Sequence, residues 1–395
     1  MKLSQVVLLG GAALAAIGAG AAIGCSGGTT NSSSGGGGGQ PPPAPTGPTT
    51  GITKEHNYAI HKLYLGDTDR NITPSNNAWT TFGYNLDGKN TTAQSTDVCQ
   101  PVMGGYMGNK QQVDGANGID NSFGHNIIPL VMNFASTPTK TVSDAINGGS
   151  FTVMADIVGF DDSTKATATG LKGGLLAGGK TMGAPSWDTN THWPIVRELL
   201  KDPNAMPLYT GAIVQLSSAY QVNGTFVSGA PSTFQLHLDF SGQVLDIQIA
   251  SAVITFDQAA PGSVTNGIIA GAIDTMSLLN AVQLVAGRLD KSFCSGTAFM
   301  SIATQLQQAS DIQIDTNNKA VNNAGSPCSA ISIGLGFDAT EIAAPVASDV
   351  LPAATAQGNP CEAGAGDDGG GGDSGGGDTG GGDDGGGGND SGGGG

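Results

Sequence analysis

Thr233-Phe234-Gln235-Leu236-His237-Leu238-Asp239-Phe240 alternates apolar and polar side chains without an exception, and Ser241-Gly242 follows it. A period of two is the signature of a half-buried strand, so Phe234, Leu236, Leu238 and Phe240 are expected to face the core. Ser-Gly is a two-residue hairpin turn. The return strand carries Leu245, Ile247 and Ile249 in phase, and Ala252, Ile254 and Phe256 then continue in the opposite phase. That one-residue slip at Ala250-Ser251 predicts a β-bulge. Upstream, Asn223-Gly224 separates Ala219-Tyr220-Gln221-Val222 from Thr225-Phe226-Val227, a second hairpin signal.

Working outward, more strands are expected at residues 57–66, with Tyr58, Ile60, Lys62 and Tyr64 on one face, and at 150–159, with Phe151, Val153, Ala155 and Ile157 on one face. A last strand spans Ile331 to Phe337, where Ser332, Gly334 and Gly336 form a small-residue face that admits close packing of another element. Thr141 to Asn147 and Trp193 to Lys201 have helical spacing, and the Gly-rich run from Leu171 to Gly183 reads as a loop or hairpin. Asp274 can cap a helix with the stripe Leu278, Val282, Val285, Leu289, and Ser295 a second with Phe299, Ile302 and Leu306. The expected fold is mainly β: an antiparallel β-sandwich or jelly-roll-like domain with an inserted helical hairpin and disordered termini.

Both ends of the 395-residue chain are compositionally biased. Val6 to Gly24 is an apolar run of Val, Leu, Ala, Gly and Ile preceded by Lys2, and it closes on Ala22-Ile23-Gly24-Cys25. Small residues before that cysteine suit a processing site. The stretch resembles the lipobox of bacterial lipoprotein precursors. The resemblance implies a signal peptide over 1–24, cleavage after Gly24, and lipidation of Cys25, which would hold the protein to the bacterial envelope membrane. Ser26, where the enterobacterial pattern would place Asp for inner-membrane retention, implies the outer membrane. Residues 25–51 read as a Gly/Ser/Pro tether, 52–360 as a β-rich globular domain, and 361–395 as an acidic, Gly- and Asp-rich disordered tail.

Net charge is −17. This balance disfavours nucleic acid and anionic headgroups and is compatible with divalent cations or neutral sugars. With Cys25 lipidated, Cys99, Cys294, Cys328 and Cys361 remain, an even number consistent with two disulfides in an exported chain. Sequence proximity favours Cys294 with Cys328 and leaves Cys99 with Cys361. No pair has zinc-site spacing.

Asp114 to Asn126 is the densest run of oxygen-bearing side chains and Gly in the domain. Asp114, Asn117, Asp120 and Asn121 could supply four oxygens to calcium, which takes six to eight. His125 stands where an EF-hand would have its bidentate Glu. Asp67, Asp69 and Asp87 lie in similar turn-rich segments that could converge on the same sheet edge. No Gly-x-Ser-x-Gly elbow, His-Glu-x-x-His motif or phosphate loop is present. The sequence therefore reads as a lipid-anchored envelope binding or structural module, with calcium and carbohydrate as candidate ligands and an envelope polysaccharide or protein as candidate partner. The alternative is an envelope hydrolase using His125 with a nearby carboxylate.

Overall fold

The structure is a computed structural model that describes residues 39–102, 111–132, 136–162, 165–240, 243–354 and 358–362. The lipobox with Cys25, the turn Ser241-Gly242 and nearly all of the acidic tail lie outside the described residues.

Eight antiparallel strands close into a barrel. In chain order they are β1 (Glu55–Tyr64), β2 (Thr152–Val158), β3 (Ala168–Gly178), β5 (Ala219–Val222), β6 (Thr225–Val227), β8 (Gln243–Ala260), β9 (Ser263–Asp274) and β12 (Ala330–Ile342). Around the barrel the order is β1, β12, β9, β8, β6, β5, β3, β2, and β2 pairs back onto β1. Two outer strands, β4 (Val214–Gln215) on β3 and β7 (Ser232–Phe240) on β8, extend the sheet, and β10 (Gln313–Ile314) with β11 (Ala320–Val321) forms a separate ribbon.

The expected sandwich is therefore corrected to a closed barrel. Alternation along a strand reports which face is buried but not which strand lies beside it. Apolar residues point both ways from this sheet. Inside, Tyr58, Ile157, Phe226, Phe256, Ile333 and Phe337 belong to one core. Phe226 and Phe256 stack at 4.6 Å, and Phe160, just after β2, meets Phe256 edge-on at 5.6 Å. An eight-stranded barrel is just wide enough for side chains to fill. Outside, Ala59, Met154 and Leu176 are covered by Trp193, Ile195, Leu200 and Leu208, and Tyr64, Ile268 and Ala270 by Phe82 and Tyr84. Irregular segments, rather than a second sheet, bury the outer face.

The local signals around β8 hold. Asn223 and Gly224 both have positive φ, 49° and 84°, as a type I′ hairpin turn requires. Ser251 has φ 52°, and the β8–β9 register slips between Ala250 and Val253, so the bulge lies where the phase of the sequence changes. β8 pairs with β7 before this bulge and with β6 after it, which bends one 18-residue strand between two partners. In β1 a register shift between Ile60 and Lys62 breaks the expected single face: Leu63 joins the inner core, and Tyr64 turns outward against Phe82.

Four helices are present among the described residues: α1 (Ile128–Val131), α2 (Pro138–Asn147), α3 (Thr275–Leu289) and α4 (Thr297–Gln308). Asp274 caps α3 as expected, its Oδ1 accepting from the Ser277 amide at 2.8 Å. The cap of α4 is Gly296 rather than Ser295. The helix expected over 193–201 is only a single 3-10 turn, Arg197–Leu199, inside an extended cover strip.

The Gly-rich run expected as a loop is instead barrel strand β3. Its glycines clear room for that strip: a β-carbon at Gly174 would stand 2.7 Å from the Tyr209 carbonyl, and one at Gly178 2.5 Å from the Trp193 indole. The small-residue face of β12 serves the same purpose, since a β-carbon at Gly336 would lie 2.6 Å from the Phe82 ring. The N-terminal segment is also bound to the barrel from its first described residues. Asn85 donates to the Gly39 carbonyl at 2.7 Å, the Tyr220 hydroxyl to the Pro42 carbonyl at 2.5 Å, and the Thr50 amide to Thr169 at 2.8 Å.

All four remaining cysteines pair, but as Cys99–Cys328 and Cys294–Cys361, which corrects the connectivity expected from proximity in sequence. The backbone brings Cys99 to Cys328: Gln100 donates to the Ser326 carbonyl and Cys328 to the Gln100 carbonyl, at 2.7 and 2.9 Å. Cys294 instead meets Cys361 over Gly287 of α3, where a β-carbon would crowd both sulfurs.

Candidate functional site

The oxygen-rich run folds as a compact loop on the outer face of the barrel. A 3-10 turn at Ala116–Gly118, with Asn117 at φ 58°, turns the chain back on itself, and the Gly115 amide meets the Ile119 carbonyl at 2.7 Å. This returns Asp120 toward Asp114. The Asp114 carboxylate accepts from the Thr91 amide, and Asp120 Oδ2 accepts from the Leu86 amide at 2.6 Å. The two carboxyl groups come within hydrogen-bond reach of each other.

Two further acids contribute to their field. Asp87 accepts from the Lys89 amide and from Asn322 Nδ2, both at 2.7 Å. Asp311 accepts from the Ser332 amide at 2.8 Å and from the Ser332 hydroxyl. The Cys99–Cys328 disulfide holds the same neighbourhood, because the Cys99 amide donates to Asn322 Oδ1.

The fold separates the four expected ligands into two pairs. Asp114 and Asp120 converge, and Asp87 joins them. Asn117 is exposed at its turn. Asn121 is committed elsewhere as a strut: its Nδ2 donates to the carbonyls of Trp79, Phe82 and Gly334, and its Oδ1 accepts from the amides of Gly124 and Gly334. It fastens the loop to β12 and has no oxygen to offer a cation. Asp67 and Asp69 also do other work. Asp67 holds Thr139 at the start of α2, and Asp69 caps its own turn through Asn71 and Thr73. Asp311 had no sequence signal, since it lies in a short connector 191 positions from Asp120.

The electrostatics of this cluster are one-sided. Burial, with Asp87 beside it, pushes Asp114 up to about 7. Burial, with Asp87, Asp114 and Asp311 around it, pushes Asp120 well above the carboxylate range. Asp311 rises to about 7, mainly through burial and against its two bonds from Ser332. Among the described residues no basic group forms an ion pair with any of the three, and the ammonium of Lys89 lies on Asp97 instead. Asp120 is 1% exposed, and its Oδ1 is buried with no hydrogen-bond donor. A buried carboxylate oxygen in that state costs about 1–3 kcal/mol or more unless a proton or a cation meets it.

His125 stacks on Trp79 with ring centroids 4.1 Å apart, and its Nδ1 is buried without a partner. Burial lowers its pKa. Among the described residues no carboxylate lies within 4 Å of it, so the structure supplies no acid partner for a His125-based hydrolase. Two indoles are buried, Trp79 stacked on His125 and Trp193 with its Nε1 donating to the Gly179 carbonyl.

A second charged centre, without a local signal in the sequence, sits at one mouth of the barrel. His56 begins β1, Asp162 follows β2, and Glu341 lies near the end of β12. His56 Nδ1 is 2.9 Å from Glu341 Oε1 and 3.7 Å from Asp162 Oδ2, and the Lys54 ammonium is 3.8 Å from Glu341. The His56 hydrogen bond holds Glu341 below its usual range. No family model, curated protein or solved structure matches this chain, so the chemistry of these two centres stands on their own geometry.

Proposed function

We propose that this is a lipid-anchored envelope protein whose barrel is a calcium-dependent structural and binding module, with Asp114 and Asp120 as the principal ligands and Asp87 and Asp311 supplying further negative charge. The observation that carries the reading is the buried Oδ1 of Asp120, which receives no donor among the described residues, inside a cluster of four acids. Calcium prefers carboxylate and carbonyl oxygens and tolerates irregular geometry. An ion held by Asp114 and Asp120 would draw the two ends of their loop together, with the charges of Asp87 and Asp311 favouring it from outside its ligand shell. The cation would thereby act on the cover as the disulfide beside it does. The envelope location rests on the lipobox resemblance and Cys25.

The test is thermal melting of the soluble domain at pH 7.5 with calcium, with magnesium and with chelator, for the wild type and for Asp120→Asn. Calcium at a hundredfold excess over Kd should stabilise the wild type by about 2.7 kcal/mol. The variant should show no calcium response. A wild type indifferent to calcium would overturn the reading and leave proton sharing between Asp114 and Asp120 as the way the cluster is neutralised.

A further inference from the structure

We propose that His56, Asp162 and Glu341 form a second metal site, distinct in chemistry from the acidic cluster, which takes a divalent transition metal such as zinc. The three donor atoms, one imidazole nitrogen and two carboxylate oxygens, all lie within 4.8 Å of one another. They come from three chain segments, distant in sequence, that meet because β1 pairs with both β2 and β12.

The argument begins with a single nitrogen. His56 Nδ1 faces Glu341 Oε1 at 2.9 Å, Asp162 Oδ2 at 3.7 Å and the Tyr58 hydroxyl at 3.5 Å. One proton on Nδ1 can serve one of these well, and Glu341 has it. Among the described residues Asp162 Oδ2 accepts a hydrogen bond from the Gly262 amide, at 3.1 Å. A metal ion in place of that proton would engage both carboxylates together. Zinc binds nitrogen at about 2.0–2.1 Å and carboxylate oxygen at about 2.0–2.2 Å, so ligand atoms around it stand roughly 3.4 Å apart in a tetrahedron. The observed separations lie on either side of that value.

The site is also built rather than incidental. The His56 ring is 1% exposed, lies parallel to Tyr58 at 5.7 Å and meets Phe160 edge-on at 6.3 Å, so its orientation is set by packing. Gln258 fixes the Asp162 backbone through its carbonyl. The carboxylates are 13% and 12% exposed, which leaves an entry path and a place for a water as the fourth ligand. Lys54 does not close that path: its side chain is 60% exposed and free to swing into solvent. The imidazole sets the selectivity, because nitrogen donors suit zinc, copper and nickel and do little for calcium or magnesium. With the metal on Nδ1 the neutral ring carries its proton on Nε2, so an Nδ1 proton moves there by tautomerisation, or leaves to solvent if the ring held two, with no change in oxidation state.

The experiment uses untagged, chelator-stripped protein at pH 7.5. Zinc is titrated calorimetrically, and cobalt(II) is added as a spectroscopic reporter of nitrogen–oxygen ligation. The expected result is one equivalent of zinc per chain and a visible cobalt spectrum. Asp162→Asn and Glu341→Gln should each weaken zinc at least about tenfold, equivalent to 1.4 kcal/mol, and leave the calcium response at Asp120 unchanged. His56→Gln should abolish both signals; because His56 is buried, circular dichroism of that variant is read alongside, and the two partly exposed carboxylate variants keep the test decisive if it misfolds. Failure of the wild type to bind zinc or cobalt would overturn the proposal. So would binding that survives all the folded variants, and either result would leave the three residues as an ion pair with Lys54. Neither outcome bears on the calcium site, which is read with a different ion.

Discussion

The two charged centres of this protein are built in opposite ways. The Asp114–Asp120 cluster sits in loops on the outside of the barrel, its carboxylates are held by backbone amides and small polar side chains, and among the described residues no base pairs with them. The mouth centre sits at strand ends, its two carboxylates share an imidazole, and Glu341 also faces a lysine. Burial drives the first set of carboxyls upward, and the His56 bond draws Glu341 downward. The difference teaches that acidic residues in one chain can favour different cations. All-oxygen donors without a base favour a hard ion, whereas a buried imidazole between two carboxylates favours a borderline one.

The sharpest way to break this contrast is to remove the covalent tie under only one centre. Cys99→Ser with Cys328→Ser opens a crosslink spanning 229 residues that anchors Asn322 beside Asp87. Loss of such a link should cost about 4 kcal/mol in urea unfolding. It should also weaken the calcium response and spare the zinc titration. Equal damage to both titrations would show that the two centres are not independently supported.

A third buried acid adds pH to the comparison. Asp156 is fully buried on the outer face of β2, with neither oxygen receiving a donor, and burial together with neighbouring Glu55 pushes it up to about 9. Its unfolded value is about 3.9, so the folded chain keeps a proton that the unfolded chain has lost. Stability from this group is therefore full below about pH 4, falls as pH rises toward about 9, and is flat beyond. Asp156→Asn should remove that slope and be more stable than wild type at pH 9 by on the order of 1–2 kcal/mol, measured by urea unfolding at pH 5 and pH 9.

Smaller effects sharpen the picture further. In chelator at pH 8, Asp120→Asn should melt about 3 °C above wild type, since a buried carboxyl with no base is exchanged for a neutral amide worth roughly 1 kcal/mol. A lower melting point would mean that the carboxyl is already compensated. Lys54→Ala should change stability by about 0.5 kcal/mol or less, because the lysine is exposed. Zinc affinity in that variant should stay within about threefold. A large loss would make Lys54 part of the centre.

Much of the local structure was legible in the residues. The turn at Asn223-Gly224, the bulge at Ser251, helix α2, the cap at Asp274 and the core positions Phe234 and Leu236 follow from backbone propensity and alternation, which act over a few neighbours. Strand β3 was not legible, because Gly174 and Gly178 look like a loop until Tyr209 and Trp193 are packed against them. Half of the candidate site was legible for a similar reason. Asp114 and Asp120 share a short loop, but Asn121 resembles a ligand until its five backbone partners across the fold are counted.

By itself, then, the sequence determined that the chain alternates and where it turns and bulges. The tertiary structure alone decided that the sheet closes, which cysteines meet, and which charges share a site. The physical reason is distance along the chain. Strand pairing, disulfide partners and the His56–Glu341 contact join residues as many as 285 positions apart, and no local propensity carries information over that span.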